Sequence, residues 1–473
     1  MRRNRYLAVL WLCLALVPCA FSQRAGRDPN ALLKFRNALA HEGFDVIPGA
    51  AVAWNLVEQY CANQVDSAMY LNNEPYIQVL VPKSPQEPPG QPSSDFKLRP
   101  DEAIVLIGLT PPPVKYFSYT PYLSTRVYSD GRDFIFASLG DQINNLTVKT
   151  TGLPFNSPVA LIFTPDQRTD ARIRAALQSA GYPAAIINTG VFPASMLKLG
   201  YGKTADELRI LTRTAVWQVP AAGDAYINNP PLSVFRVTPR TQATANPFPA
   251  PRLRIRGTGH TEMGLMNKLD QLRQGIIADN PGLNATDITP IPLCYEGYDY
   301  IQRRADPTQN QGYWGDSRDA LYLGVGMPEW GSTYDRITLG DDEFLMVYGA
   351  NHVATGKATY MNTNVYASET AKLTLGTLDD SKFPDTAGPY LPAGDPAANV
   401  MYAYKVSRNC ENQTNCLQLS APKGCTRLTL DQKTLLGLFT RIYLEPATKV
   451  GPALPEMLYD RVIKFSPRPP AQQ

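Results

Sequence analysis

The sequence predicts an α+β protein: two tandem, diverged copies of one mixed α/β unit related by internal duplication. Three observations lead there. Five segments recur in the same order along the two halves, which is the mark of a repeat. Each half carries short apolar runs bounded by turn residues, the pattern of buried strands, together with helix-start motifs. Finally, of 473 residues 44% are hydrophobic and 18% charged, with 42 Pro and 25 Tyr. That supply of apolar residues fills large cores, and that much proline argues against a helical bundle. Length alone suggests about three domains. The repeats replace that estimate with one duplicated unit, divided as a signal peptide at 1–22, a first repeat at 23–240, a Pro-rich connector and helix at 241–290, and a second repeat with a Cys-rich loop at 291–473.

The leader has Arg2, Arg3 and Arg5 ahead of an apolar run at 7–16, and Ala20, Phe21 and Ser22 form a small-x-small cleavage site. A secreted or extracytoplasmic product is expected. No later stretch has the length of a transmembrane segment. Five cysteines follow the leader: Cys61, Cys294, Cys410, Cys416 and Cys425. The last three lie close together, so one local disulfide is expected there, and the odd number leaves one thiol over. Cys61 and Cys294 precede the first aligned strand of each copy, and a bridge between them is a further expectation. Zinc is disfavoured, because no His lies in the cysteine window. Asn145, Asn284 and Asn412 each open a glycosylation tripeptide.

The central match sets DEAIVLIG at 101–108 against DEFLMVYG at 342–349. Apolar runs at 104–109 and 344–348 read as buried strands, and the Tyr- and Thr-rich runs at 116–128 and 359–366 as strands facing a partly polar surface. Further along the first copy, 159–163 and 184–188 are strands around a helix. Thr164, Pro165, Asp166 and Gln167 open that helix and Gly181 ends it. Similar motifs at Thr204–Glu207 and Thr429–Gln432 predict helices that carry Arg213 and Arg441 to their C-terminal ends. The second copy replaces its central helix by the Cys-bearing loop after a strand at 400–406. Helices near 31–40 and 262–277 complete the two copies.

Only three His occur. His41 follows a helix, and His260 sits where a turn enters one. His352 lies in the polar loop 351–360, directly after a buried strand, where sites are commonly built. The first copy has Pro111, Pro112 and Pro113 at the matching place. His352 is therefore the candidate acid/base, with Lys357 and Tyr360 as charge-stabilising catalytic partners. Asn351 and Thr355 are candidate ligand-binding residues. Arg213 and Arg441 are the same, as an anion site between the copies, against a default of pairing with helix dipoles. Asp341, Asp342 and Glu343 stand at the far end of the preceding strand and cannot orient His352. The segment Trp314–Asp319 reads first as a turn with an internal Asp–Arg pair and second as a pocket wall. The P-loop, dinucleotide, GxSxG, HExxH and CxxCH signatures are absent.

A net charge of +3 with dispersed Lys and Arg gives no nucleic-acid footprint. No cofactor or metal is expected. The partner is a small-molecule ligand or substrate, held in the second repeat or between repeats, and the oligomeric state stays open. Two functions fit. One is a metal-independent hydrolase or lyase using His352. The other is a non-catalytic secreted binding or interaction protein with Tyr-rich surface strands.

Overall fold

The computed structural model describes residues 28–68, 74–87, 91–129, 131–292, 315–325, 337–367 and 373–468. The signal peptide, Cys294 and Trp314 lie outside them. Strands dominate, with few helices, arranged in several sheets. No helix among the described residues is long and apolar enough to cross a membrane.

In the first half the strands are β1 (Phe44–Trp54), β2 (Tyr76–Pro82), β3 (Pro92–Ser93), β4 (Ala103–Leu109), β5 (Val114–Tyr128), β6 (Gly131–Ser138), β7 (Ile143–Asn144), β8 (Pro158–Thr164), β9 (Ile187–Val191), β10 (Glu207–Trp217) and β11 (Leu232–Pro239). They form one sheet in the order β6-β5-β10-β2-β1-β11-β4-β8-β9, with β3 on β2 and β7 on β5. The long β1 changes partner midway: Phe44–Gly49 pair with β11 and Ala50–Trp54 with β2. The expected βαβ unit is present, since β8 and β9 are parallel around the helix Gln167–Ser179. Its N-cap is Asp166, whose side chain accepts from the Thr169 amide, and Gly181 takes the positive φ that stops it.

In the second half the strands are β12 (Leu283–Ile288), β13 (Ile291–Pro292), β14 (Ala320–Val325), β15 (Phe344–Ala350), β16 (Tyr360–Ala367), β17 (Leu373–Asp379), β18 (Met401–Ser407), β19 (Cys416–Gln418), β20 (Leu436–Tyr443) and β21 (Arg461–Pro467). They form two sheets, β12-β21-β15-β18-β19 and β13-β14-β20-β16-β17. The break falls between β12 and β13, where β1 switches partner in the first half.

Two expected helices are strands instead. Residues 207–217 form β10 and 436–443 form β20, so Arg213 and Arg441 sit within sheets and meet no helix dipole. The side chains explain it: Ile210, Thr212, Thr214 and Val216 alternate with Leu211, Arg213 and Ala215, and such runs suit a pleated, two-faced strand. The motif ahead of each run is spent on turns. Asp206 pairs with Arg126, and Asp431 accepts from the Lys433 amide.

The apolar faces form separate cores. Leu106, Phe117, Leu161 and Ile210 belong to a core within the first half. Leu345, Met361, Leu378 and Ile442 fill the space between the two later sheets. The helices Pro29–His41 and Gln167–Ser179 cover the outside of the first sheet, and Met266–Ala278 covers the β15 sheet. A further cluster joins the halves: Tyr116, Tyr122 and Leu211 from the first meet Tyr322, Tyr360, Tyr366 and Tyr443 from the second.

Cys410 and Cys416 stand at disulfide distance, as the local spacing suggested, with sulfurs 2.02 Å apart. Cys61 pairs with Cys425 at 2.08 Å rather than with Cys294, and so ties the halves together across 364 residues of sequence. Arg427 reinforces that junction through the Val65 carbonyl and the Asp66 carboxylate. Closing so long a loop restricts the unfolded chain, so the Cys61→Ser/Cys425→Ser double variant should lose about 2–4 kcal/mol in urea unfolding. A loss no larger than that of Cys410→Ser/Cys416→Ser, which closes a short loop, would contradict the assignment.

Candidate functional site

The loop 351–360 folds inward. Asn351 follows β15, and its side-chain oxygen accepts from the amides of Val353 and Ala354 at 3.2 and 3.3 Å, which closes a local turn. Gly356 takes a positive φ where the turn closes. His352 is wholly buried; its Nδ1 donates to Glu262, with Oε1 at 2.8 Å and Oε2 at 2.9 Å. Its Nε2 lies 3.8 Å from Asp460. Glu262 also accepts from Thr355 Oγ1 at 2.5 Å and from the Leu458 amide at 2.9 Å. Gly349 is required beside this group, because a Cβ there would run into the Asp460 carboxylate.

Lys357 is equally buried. Its ammonium donates to Glu445, to Glu456 at 2.5 Å and to the His260 carbonyl at 3.0 Å. Thr258 then donates to Glu445, and the Gly259 amide to Glu456. The loop thereby clamps the connector around 258–262 to the segment 445–460.

Burial works against each charge, and the partners decide the outcome. For His352 burial lowers the pKa, yet the Glu262 carboxylate more than offsets it and the imidazole lies above its usual value. Burial raises Glu262, and the neighbouring His352 charge with three hydrogen bonds brings it below its usual range. Burial pushes Asp460 up to about 6. Lys357 stays charged, its two carboxylates outweighing desolvation.

His352, Lys357 and Thr355 are thus brought into one network, whose other members, Glu262, Glu445, Glu456 and Asp460, the sequence reading missed. Tyr360 and Asn351 are not part of it. Tyr360 faces the junction of the halves, where its hydroxyl accepts from Asn362 at 2.6 Å. His41 and His260 are exposed.

The second group lies at that junction. Strand alternation directs Arg213 from β10 and Arg441 from β20 into it, opposite Ser118 and Asn362 in their sheets. Both are nearly fully buried. The Arg213 guanidinium lies 5.4 Å from the Tyr76 ring and 5.5 Å from the Tyr122 ring; that of Arg441 lies 4.2 Å from Phe439 and 5.8 Å from Tyr366. Tyr76, Tyr322 and Tyr443 are electrostatic neighbours of both. Burial disfavours the two charges, and the tyrosine oxygens around them, Tyr122 first for Arg213 and Tyr366 first for Arg441, hold each pKa above the usual value.

Arg213 donates to the Gly315 carbonyl, and no carboxylate among the described residues pairs with either arginine. Arg213 Nε and Arg441 Nη1 are buried without an acceptor there. Gly315 has a positive φ and sits against the guanidinium, where a side chain would collide with it.

The segment after Trp314 is a wall of this junction, and its ionic partners come from the first half. Asp316 accepts from the Ser138 amide and hydroxyl at 2.7 and 2.8 Å. Arg318 pairs with Asp141 at 2.8 Å, which replaces the internal Asp–Arg pair expected from sequence. Asp319 accepts from Tyr116 at 2.9 Å and from Asn144 at 2.8 Å. Among the described residues no group of three or more His, Cys, Asp or Glu is placed to hold a metal ion.

No family model matches the chain, and no curated protein is similar to it. Among solved structures it is similar to the VPA0106 protein from Vibrio parahaemolyticus, at 11% identity and a TM-score of 0.36, covering 94% of this chain and 98% of that one. It is also similar to the N-terminal CBM22-1-CBM22-2 tandem domain of Paenibacillus barcinonensis Xyn10C, at 8% identity and a TM-score of 0.13, covering 90% and 94%. Scores this low carry no argument about either fold or function.

Proposed function

We propose that the chain is an exported binding protein that holds a small organic anion between its two halves, with Arg213 and Arg441 as the charge-recognising pair. One observation carries the reading: two buried guanidinium groups, each with an N–H lacking an acceptor, face tyrosines and no carboxylate among the described residues. Buried charge without a counter-ion is costly, so an anion that supplies it gains strongly. Tyrosine faces around the pair suit a ligand with an aromatic or otherwise flat apolar body.

The halves are read as diverged copies of one unit. In support, β10 lies between β2 and β5 as β20 lies between β14 and β16. Likewise β11 pairs with β4 as β21 pairs with β15. Both halves also end a sheet on a parallel pair, β8–β9 and β18–β19. In that correspondence Arg213 and Arg441 are equivalent residues, one from each copy.

The test separates a ligand role from a packing role. The Arg213→Met/Arg441→Met double variant removes two buried charges that meet no carboxylate among the described residues, so none of those is left stranded. The ligand-free protein should hold its stability or gain up to about 1–4 kcal/mol. Binding of benzoate, followed by calorimetry, should drop at least tenfold, and small acids that copurify with the wild type should vanish from its mass spectrum. A double variant that unfolds, or that binds benzoate as the wild type does, overturns the proposal. The second reading, acid/base catalysis by His352, draws on the Glu262–His352–Asp460 line. The burial of all three groups weighs against it.

A further inference from the structure

We infer that Tyr116 and Asp319 form the proton-exchanging arm of this anion site, so that binding a ligand at Arg213 and Arg441 takes up one proton. The inference rests on the anion-binding reading above and adds a chemical rule to it. Tyr116 lies on the same face of β5 as Tyr122, its ring centroid 4.4 Å from that of Tyr443, with Arg213 among its charged neighbours. Its hydroxyl donates to Asp319 Oδ2 at 2.9 Å. Asp319 is fully buried, and its carboxylate makes no ion pair among the described residues. Its other oxygen accepts from Asn144.

The far side of Asp319 leads outward. Its backbone amide donates to Gln142 Oε1 at 3.1 Å, and Gln142 and Asp141 line a cleft of about 400 Å³. Asp319 is thus joined through its backbone to a residue that lines the cleft, and in the inferred mechanism its proton passes along that side.

The chemistry follows from the donor count. While Asp319 is ionised it holds the Tyr116 proton, and Tyr116 offers the arginine pair only lone pairs, which repel an anion. Once Asp319 carries a proton it donates to the Tyr116 oxygen, and the phenolic O–H is free to swing toward the ligand. One proton moves from solvent to the carboxylate; no bond of the ligand changes. The charged groups around Asp319 are consistent with titration at neutral pH. Asp141 opposes its ionisation and Arg254 favours it, while Arg318 is engaged by Asp141 and Lys449 presents only its carbonyl to Asn144. Burial is the largest influence and pushes Asp319 up to about 7.

Benzoate is a suitable probe, since its carboxylate stays ionised between about pH 6 and 8.5. For the wild type, affinity should fall by up to about tenfold per pH unit above about pH 7, as linkage of one proton requires. Asp319→Asn and Tyr116→Phe should each flatten that slope. A wild-type affinity constant across the range, or a slope that survives in Asp319→Asn, overturns the inference while leaving the anion site intact. If benzoate fails to bind at every pH, the anion site falls and the proton arm with it. Infrared spectroscopy of the ligand-free protein gives an independent reading. A protonated-carboxyl component that titrates near pH 7, apart from that of Asp460 near 6, should be present in the wild type and in Tyr116→Phe and missing from Asp319→Asn. Its absence from the wild type likewise ends the inference.

Discussion

Lys357→Met will cost the protein about 3–5 kcal/mol, the usual result of breaking a buried ion pair from one side. The aliphatic stem is nearly matched in volume, so little of the loss comes from packing. It comes from Glu445 and Glu456, which would face one another with their shared cation gone. Thr258 and the Gly259 amide would still donate to them, and those bonds cannot neutralise two carboxylates. Adding Glu445→Gln to Lys357→Met should therefore recover part of the loss, a positive coupling readable in a double-mutant cycle. Urea unfolding of the four proteins at neutral pH measures it. Strict additivity would mean that Lys357 acts through packing alone, and the clamp on the connector would have to be explained without charge.

The clamp also marks where sequence reasoning reaches and where it stops. The β8–helix–β9 unit was legible because its signals are local: a continuous apolar run, a helix-start motif at Thr164–Gln167, and Gly181 at the end. The cap itself falls on Asp166, while Thr164, read as the cap with Pro165 at the first helical position, closes β8. The strands β10 and β20 were not, because the Thr-x-Asp-Glu and Thr-x-Asp-Gln motifs before them satisfy the helix-start pattern while the side chains that follow alternate with period two. Where the two signals conflict, the alternation of Ile, Thr and Val was the better guide, since it reports on two buried faces rather than on one turn.

The loop 351–360 reads from sequence as a polar segment after a buried strand, and in the fold its His352, Thr355 and Lys357 meet charged partners from elsewhere. Its meaning was hidden, because the groups that bind His352 and Lys357 come from 262 and from 445–460, which only the fold brings near. The arginines followed the reverse course. Helix ends would have given Arg213 and Arg441 a partner in the backbone. Strand interiors bury them among tyrosines instead, with the Gly315 carbonyl for Arg213 and no carboxylate among the described residues, and that correction makes the pair the best candidates for a site. The Cys61–Cys425 pairing is of the same kind, since it depends on how the halves pack and on nothing in the spacing of cysteines.

His352→Ala should likewise lose about 3–5 kcal/mol near pH 6, and the way that loss varies with pH tells charge from packing. The imidazole has a raised pKa, so its stabilisation is complete below about 6.5, the unfolded value, and fades as pH climbs through the folded one. Glu262 has a lowered pKa, so its contribution is present above about 4.3 and is lost as pH falls through its folded value. Asp460, raised to about 6, destabilises the fold progressively as pH rises from about 3.9 toward that value. Together they place the strongest His352 effect in a window from about pH 4.5 to 6.5, where the imidazolium neutralises Glu262. In the alanine variant both carboxyls lose that cation and protonate more readily, so the deficit relative to wild type should shrink as pH falls toward about 4. Unfolding free energies measured across that range settle the point: an equal deficit throughout would reduce His352 to a filler of space. A shrinking deficit together with undiminished benzoate binding would assign His352 to holding the connector in place, and leave recognition to the arginines on the other side of β16.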